Sequence, residues 1–61
     1  MPNLTTKELQ ALEETLDSEK MLVAKYKTMS ENTNDTNLKS TFEQISSKHQ
    51  QHFDSLSSYL K

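Results

Sequence analysis

The segment 31-ENTNDTN-37 lies between two long stretches, residues 3–30 and 38–61, that contain neither glycine nor proline. Its asparagine, aspartate and threonine side chains compete with the backbone for helical hydrogen bonds, so the segment predicts a break between two helices. Glycine is absent from the whole chain and the single proline is Pro2, which suits long helices and disfavours a β-rich fold. Because so short a connection makes the two helices antiparallel neighbours, the sequence predicts an all-α, two-helix hairpin.

Local signals at the helix ends give the predicted boundaries. Thr5 and Glu8 have the spacing of a capping box, in which each side chain hydrogen-bonds the backbone amide of the other residue. Asp35 is the predicted N-cap of the second helix. We therefore expect one helical-hairpin domain over residues 1–61, with helices at about 6–31 and 36–60 and a turn at 32–35.

Each predicted helix carries a seam of residues at alternating steps of three and four, the pattern of left-handed helical bundles. Facing residues in an antiparallel hairpin have numbers with a constant sum, and the two seams pair throughout at a sum of 68. Predicted layers therefore include Tyr26 with Phe42 and Glu19 with His49. The complete seams are Leu9, Leu12, Leu16, Glu19, Val23, Tyr26 and Ser30, and Leu38, Phe42, Ile45, His49, His52, Leu56 and Tyr59.

The apolar stripe is wider than two helices can cover, because Leu22, Met29, Phe53 and Leu60 lie beside the seams. Chains this short need a disulfide, a metal or a partner for stability, and this one has no cysteine. We therefore expect a homodimer in which two hairpins form a four-helix bundle. A monomer that folds on another protein is the alternative. The predicted dimer core comprises Leu9, Leu12, Leu16, Val23, Tyr26, Phe42, Ile45, Phe53 and Leu56.

Three seam positions carry ionisable side chains, namely Glu19, His49 and His52. Such groups are costly in a bundle core unless they are paired or bound to a metal. One hypothesis is a divalent metal site for zinc, iron or manganese, formed near the centre of the dimer. The favoured one is a polar network, with Glu19 hydrogen-bonded to a His49 imidazolium, that fixes the helix register. In a third hypothesis, both histidines lie at the solvent-exposed edge of the bundle.

Charge and hydropathy restrict the partners. Nine acidic and seven basic residues give a net charge of −2, without the basic stripe expected of a nucleic-acid binder. No run approaches the roughly 18 apolar residues of a membrane span, and the start MPNLTTKEL lacks the features of a secretory signal. We expect a protein that is cytoplasmic or assembled into a larger structure made inside the cell. The chain lacks a glycine-rich phosphate loop and a serine with the partners of a nucleophile, so no catalytic residue is predicted.

Two segments, 6-TKELQALEETLDSEKMLVAKYK-27 and 43-EQISSKHQQHFDSLSSYL-60, resemble the coat F family of bacterial spore coat proteins. The likeness is carried by a Glu-Lys step followed by Lys-Tyr in the first helix, the short turn rich in Asn and Asp, and Lys-His-Gln-x-His in the second helix. This resemblance implies a non-enzymatic structural protein of the spore coat, with other coat proteins as partners. More distantly, the chain is similar to one helical pair of the ferritin-like superfamily.

Ferritin-like enzymes bind two metals through inward glutamates and a Glu-x-x-His motif on paired helices. Carried over by position, Glu19 matches the glutamate of the first helix and His52 matches the histidine of the motif. His49 then stands where the motif has its glutamate. If His49 is instead the motif histidine, Ser46 stands at the glutamate position. Either alignment leaves each hairpin without one bridging carboxylate, which argues against oxygen-activating di-iron chemistry.

Overall fold

The computed structural model describes residues 4–60. It contains two α-helices, α1 over Thr6–Asn32 and α2 over Thr36–Ser57, and a short 3-10 turn over Ser58–Leu60. The two helices pack along each other as an antiparallel hairpin, which confirms the predicted all-α fold. The expected domain over 1–61 also includes residues 1–3 and 61, which lie outside the described residues.

Both predicted N-caps are present. The Thr5 amide donates to Glu8 Oε1 at 2.9 Å, and the Glu8 amide donates to Thr5 Oγ1 at 3.1 Å, so the capping box is complete. At the start of α2, the Leu38 amide donates to Asp35 Oδ1 at 2.9 Å. These bonds satisfy amides that have no partner within the helix, which fixes where each helix begins.

The capping box gives the first turn of α1 a defined pH response. The Thr5 backbone amide, assisted by the Thr5 side chain, holds the pKa of Glu8 below its ordinary value. The folded state therefore favours the carboxylate, so the cap contributes stability at neutral pH and loses it as the pH falls through the lowered pKa. We expect the NMR shifts of the Thr5 amide to report fraying of this turn over that range. Glu8→Gln keeps a capping oxygen that does not titrate, so a fraying step that persists in this variant would contradict the assignment.

Two polar side chains of α2 hydrogen-bond to backbone carbonyls of α1, one at the turn end of the hairpin and one nearer its middle. Lys39 Nζ donates to the Ser30 carbonyl at 3.1 Å, and Ser46 Oγ donates to the Val23 carbonyl at 3.0 Å. Ser30 itself is buried, and its hydroxyl donates to the Lys27 carbonyl at 2.8 Å. Ser30 lies in the last turn of α1, where backbone carbonyls lack helical partners, so the lysine provides a cap from the neighbouring helix.

The end of α2 differs from the prediction, because the α-helix stops at Ser57 and residues 58–60 form the tighter 3-10 turn. The Ser58 amide donates to the carbonyls of both Asp54 and Leu56. The Ser57 and Ser58 hydroxyls donate to the carbonyls of Asp54 and Ser55. Serine hydroxyls compete for backbone groups in this way, and a tightened last turn is a common result at helix ends.

The interior of the hairpin is small. Among residues 4–60, Leu16 is the one buried apolar side chain, at 8% exposed. The predicted layer of Tyr26 and Phe42 is present, with ring centroids 6.1 Å apart. Predicted core residues that are only partly covered by their own chain are Leu12, Val23, Tyr26, Phe42, Ile45, Phe53 and Leu56. The seam residues Leu9, Leu38 and Tyr59 are exposed, at 37%, 47% and 51%.

The molecule is elongated, with extents of 46 × 15 × 11 Å and a radius of gyration of 14.3 Å. A compact domain of this length has a radius of gyration of about 10.5 Å. The accessible surface is 4854 Å², whereas a folded monomer of 7.1 kDa has about 4,100 Å². The excess surface reflects the elongated shape of a hairpin that has no third element to pack on. Within the described residues, neither helix has the length and apolar content needed to cross a membrane.

Candidate metal centre

The candidate site lies about halfway along the hairpin, where the two helices bring three ionisable side chains together. Glu19 comes from the middle of α1, while His49 and His52 come from α2. The two histidines are three residues apart, which places them on one face of their helix. The predicted layer of Glu19 and His49 is therefore present, and His52 joins it within the same chain.

One carboxylate is shared between two imidazole rings. His49 Nδ1 lies 3.1 Å from Glu19 Oε1 and 3.3 Å from Oε2, and His52 Nδ1 lies 3.1 Å from Oε2. The Glu19 side chain is 13% exposed, the His49 side chain 23% and the His52 side chain 63%. The cluster is thus covered on its glutamate side and open to water on the side of His52. The hypothesis that both histidines lie at the solvent-exposed edge of the bundle therefore fits His52 but not the more buried His49.

Aromatic neighbours orient the His49 ring. Tyr26 stacks near it, with centroids 6.1 Å apart and ring planes 15° apart. His52 meets it edge-on, with centroids 5.8 Å apart and planes at 85°. Sequence reasoning assigned Tyr26 to the core and missed this second role. The available signal was its spacing, because Tyr26 follows Glu19 by seven residues and so lies two helical turns along the same face.

The arrangement has two chemical uses. If the cluster is a hydrogen-bonded network, each Nδ1 carries a proton and donates a hydrogen bond to the carboxylate. Both Nε2 atoms are then free for other partners. As a metal site, the same atoms present two neutral nitrogens and one negative oxygen, and the donor atoms of the three side chains all lie within 4.8 Å of one another. The structure therefore places the three predicted ligand residues in one cluster that can hold protons or a cation.

Comparison with known proteins identifies the family of the chain. A family model described as "Protein of unknown function (DUF1657)" matches residues 12–60. Since this match covers more than half of the chain, the protein belongs to that family. The matched region spans most of α1 and all of α2, and it includes the whole Glu19, His49 and His52 cluster. No curated protein and no solved structure matches the chain.

Proposed function

We propose that this member of the DUF1657 family is a non-enzymatic structural protein, which assembles as a homodimer of two hairpins in a four-helix bundle. The observation that carries the proposal is the small interior of one hairpin, where Leu16 is the single buried apolar side chain among residues 4–60. A second copy would bury the partly covered seam and supply the missing apolar contacts.

The open surface has a suitable size for such a partner. The broad side of the hairpin extends over 46 by 15 Å, so a second hairpin can lie along its whole length. Exposed seam residues occur at both ends of this surface, with Leu38 beside the turn and Leu9 and Tyr59 at the other end. A two-fold arrangement of identical hairpins is the commonest way to cover such a surface.

A non-enzymatic role is supported by the donor set of the cluster. Ferritin-like di-iron centres gather several carboxylates around two metals. The cluster described here contains one carboxylate, Glu19, and both of its oxygens already contact imidazole nitrogens. The serine hydroxyls at positions 46, 57 and 58 donate to backbone carbonyls. These contacts suit side chains that hold a fold together.

The spore coat is the proposed setting, with other coat proteins as further partners. This part of the proposal rests on the resemblance of segments 6–27 and 43–60 to coat F proteins. Immunodetection in purified spore coats and in the vegetative cytoplasm of the host would test it. We expect the chain in the coat fraction. Detection in vegetative cytoplasm alone would exclude the coat setting and leave the dimer proposal standing.

The homodimer is tested by sedimentation and by melting over a hundredfold range of protein concentration. We expect a species of twice 7.1 kDa and a melting temperature that rises with concentration, because association stabilises only the folded chain. A folded one-chain species whose melting temperature is independent of concentration would overturn the proposal.

A pair of glutamate substitutions locates the interface. Leu9 lies on the seam, whereas Met21 lies on the opposite face of α1 and is 72% exposed. Leu9→Glu would place an unpaired charge between the two copies, so we expect the dimer to dissociate. Met21→Glu should leave the sedimenting mass unchanged. Equal behaviour of the two variants would show that the seam is not the contact surface.

A further inference from the structure

We propose that Glu19, His49 and His52 form a mononuclear site for a divalent transition-metal ion of the zinc type, and that each chain carries a complete set of three protein ligands. The helical hairpin itself brings these side chains together, one from α1 and two from α2. The site therefore does not rest on the proposed dimer. The proposed site adds metal binding to the structural role proposed above, which by itself does not require a bound ion.

The distances between the donor atoms match the edges of a metal coordination polyhedron. Two ligands that each lie about 2.0–2.1 Å from zinc at the tetrahedral angle are about 3.3 Å apart. Glu19 Oε2 lies 3.3 Å from His49 Nδ1 and 3.1 Å from His52 Nδ1, so two edges already have this length. The third edge, between the two imidazoles, spans no more than 4.8 Å. Closing this edge would require the His52 side chain, which is 63% exposed, to rotate toward His49.

The chemistry of the donors selects the class of ion. Neutral imidazole suits zinc, copper, iron and nickel, whereas magnesium and calcium prefer sites built from oxygen alone. One carboxylate and two imidazoles offset a single unit of the 2+ charge. Three protein ligands also leave a coordination position open, and the exposed His52 side of the cluster gives water access to it. The site therefore favours a transition-metal ion that retains at least one water.

A bound ion would also join the two helices. Glu19 belongs to α1 and both histidines belong to α2, so coordination adds a cross-link near the middle of the hairpin. Tyr26, which stacks near the His49 ring, limits the ring orientations at that ligand. Side chains that are already held in place lose less entropy when they bind an ion. The hydrogen-bonded network thus brings the three side chains together, and coordination would need each imidazole to carry its proton on Nε2 instead of Nδ1.

The test begins with the full chain, from which a chelator has removed any bound metal. This protein is then titrated with Zn2+ alone or with Co2+ alone. We expect calorimetry to show one ion bound per chain and Co2+ to develop the visible absorption of a nitrogen- and oxygen-ligated centre. Glu19→Ala and His52→Ala should each weaken binding at least tenfold. Gln51→Ala removes an exposed neighbour of His52 and should bind as the parent protein does. Mg2+ and Ca2+ should not bind.

The variants keep the proposal open to refutation. His52 is exposed, so its truncation should leave the helical circular dichroism signal intact even if Glu19→Ala unfolds the chain. Saturable binding that is equally strong in His52→Ala and in Gln51→Ala would overturn the site. A stoichiometry of one ion per two chains would overturn the claim that each chain carries a complete ligand set. Absence of binding would leave the cluster as a proton-bonded network.

Discussion

Replacing Leu16 with alanine should lower the free energy of unfolding by about 2–5 kcal/mol, the usual range for truncating a buried leucine. Leu16 is 8% exposed and is the one buried apolar side chain among residues 4–60. Domains have stabilities of about 0.05–0.15 kcal/mol per residue, so a chain of 61 residues has about 3–9 kcal/mol to lose. The substitution would therefore remove a large share of the total. Urea unfolding followed by circular dichroism measures the change.

Two further substitutions control for this result. Met21 is 72% exposed on the opposite face of α1, so Met21→Ala should change the stability by no more than about 0.5 kcal/mol. Leu16→Met nearly conserves volume and should cost less than about 1.5 kcal/mol. If Leu16→Ala costs no more than Met21→Ala, then Leu16 does not belong to the core of the protein.

Most of the fold could be predicted because its determinants are local. The capping box of Thr5 and Glu8 and the cap at Asp35 depend on residues three apart, and both occur as predicted. The pairing of Tyr26 with Phe42 followed from the periodicity of each helix and the position of the turn. The end of α2 was placed three residues too far along the chain. The α-helical and 3-10 hydrogen-bond patterns differ little in energy at a helix end. The hydroxyls of Ser57 and Ser58 bind backbone carbonyls there and favour the 3-10 pattern.

The candidate site was predicted in part. The constant sum of residue numbers for facing positions predicts that Glu19 lies opposite His49. In the structure, His49 Nδ1 lies 3.1 Å from Glu19 Oε1. The layer rule placed His52 opposite Leu16, and it did not predict the contact of His52 with Glu19. That contact forms because a glutamate side chain is long enough to reach a residue one helical turn further along the partner helix. Layers describe the positions of backbones, whereas the ligand set depends on the reach of side chains.

The seam also illustrates a limit of periodicity. Leu9, Leu38 and Tyr59 follow the apolar pattern as regularly as Leu16 does, yet of these four residues only Leu16 is buried within the single hairpin. A period of three and four residues shows which face of a helix avoids water. It does not show whether the same chain or another copy covers that face. The exposure of these three residues in the hairpin therefore motivates the proposed dimer. The proposed metal site uses residues of one chain and does not depend on the dimer.

Removing zinc from the metal-loaded protein should lower the melting temperature by on the order of 10–20 °C. An ion present at one hundred times its dissociation constant stabilises the folded state by about 2.7 kcal/mol. In a domain of this size, each kcal/mol shifts the melting temperature by about 4–8 °C. Melting followed by circular dichroism, with and without a chelator, measures the effect. Protein concentration must be equal in all samples, because dimerisation makes the melting temperature depend on it.

The His52→Ala variant separates coordination from other effects of the chelator. It keeps the contact between His49 and Glu19 and loses one of three ligands. We expect this variant to remain helical and to show at most about half of the chelator shift of Gln51→Ala, because tenfold weaker binding lowers the stabilisation from about 2.7 to about 1.4 kcal/mol. Equal chelator responses in the two variants would mean that any stabilising ion binds elsewhere. A full response confined to proteins with all three ligands would tie the stability of the hairpin to the ion that joins its two helices.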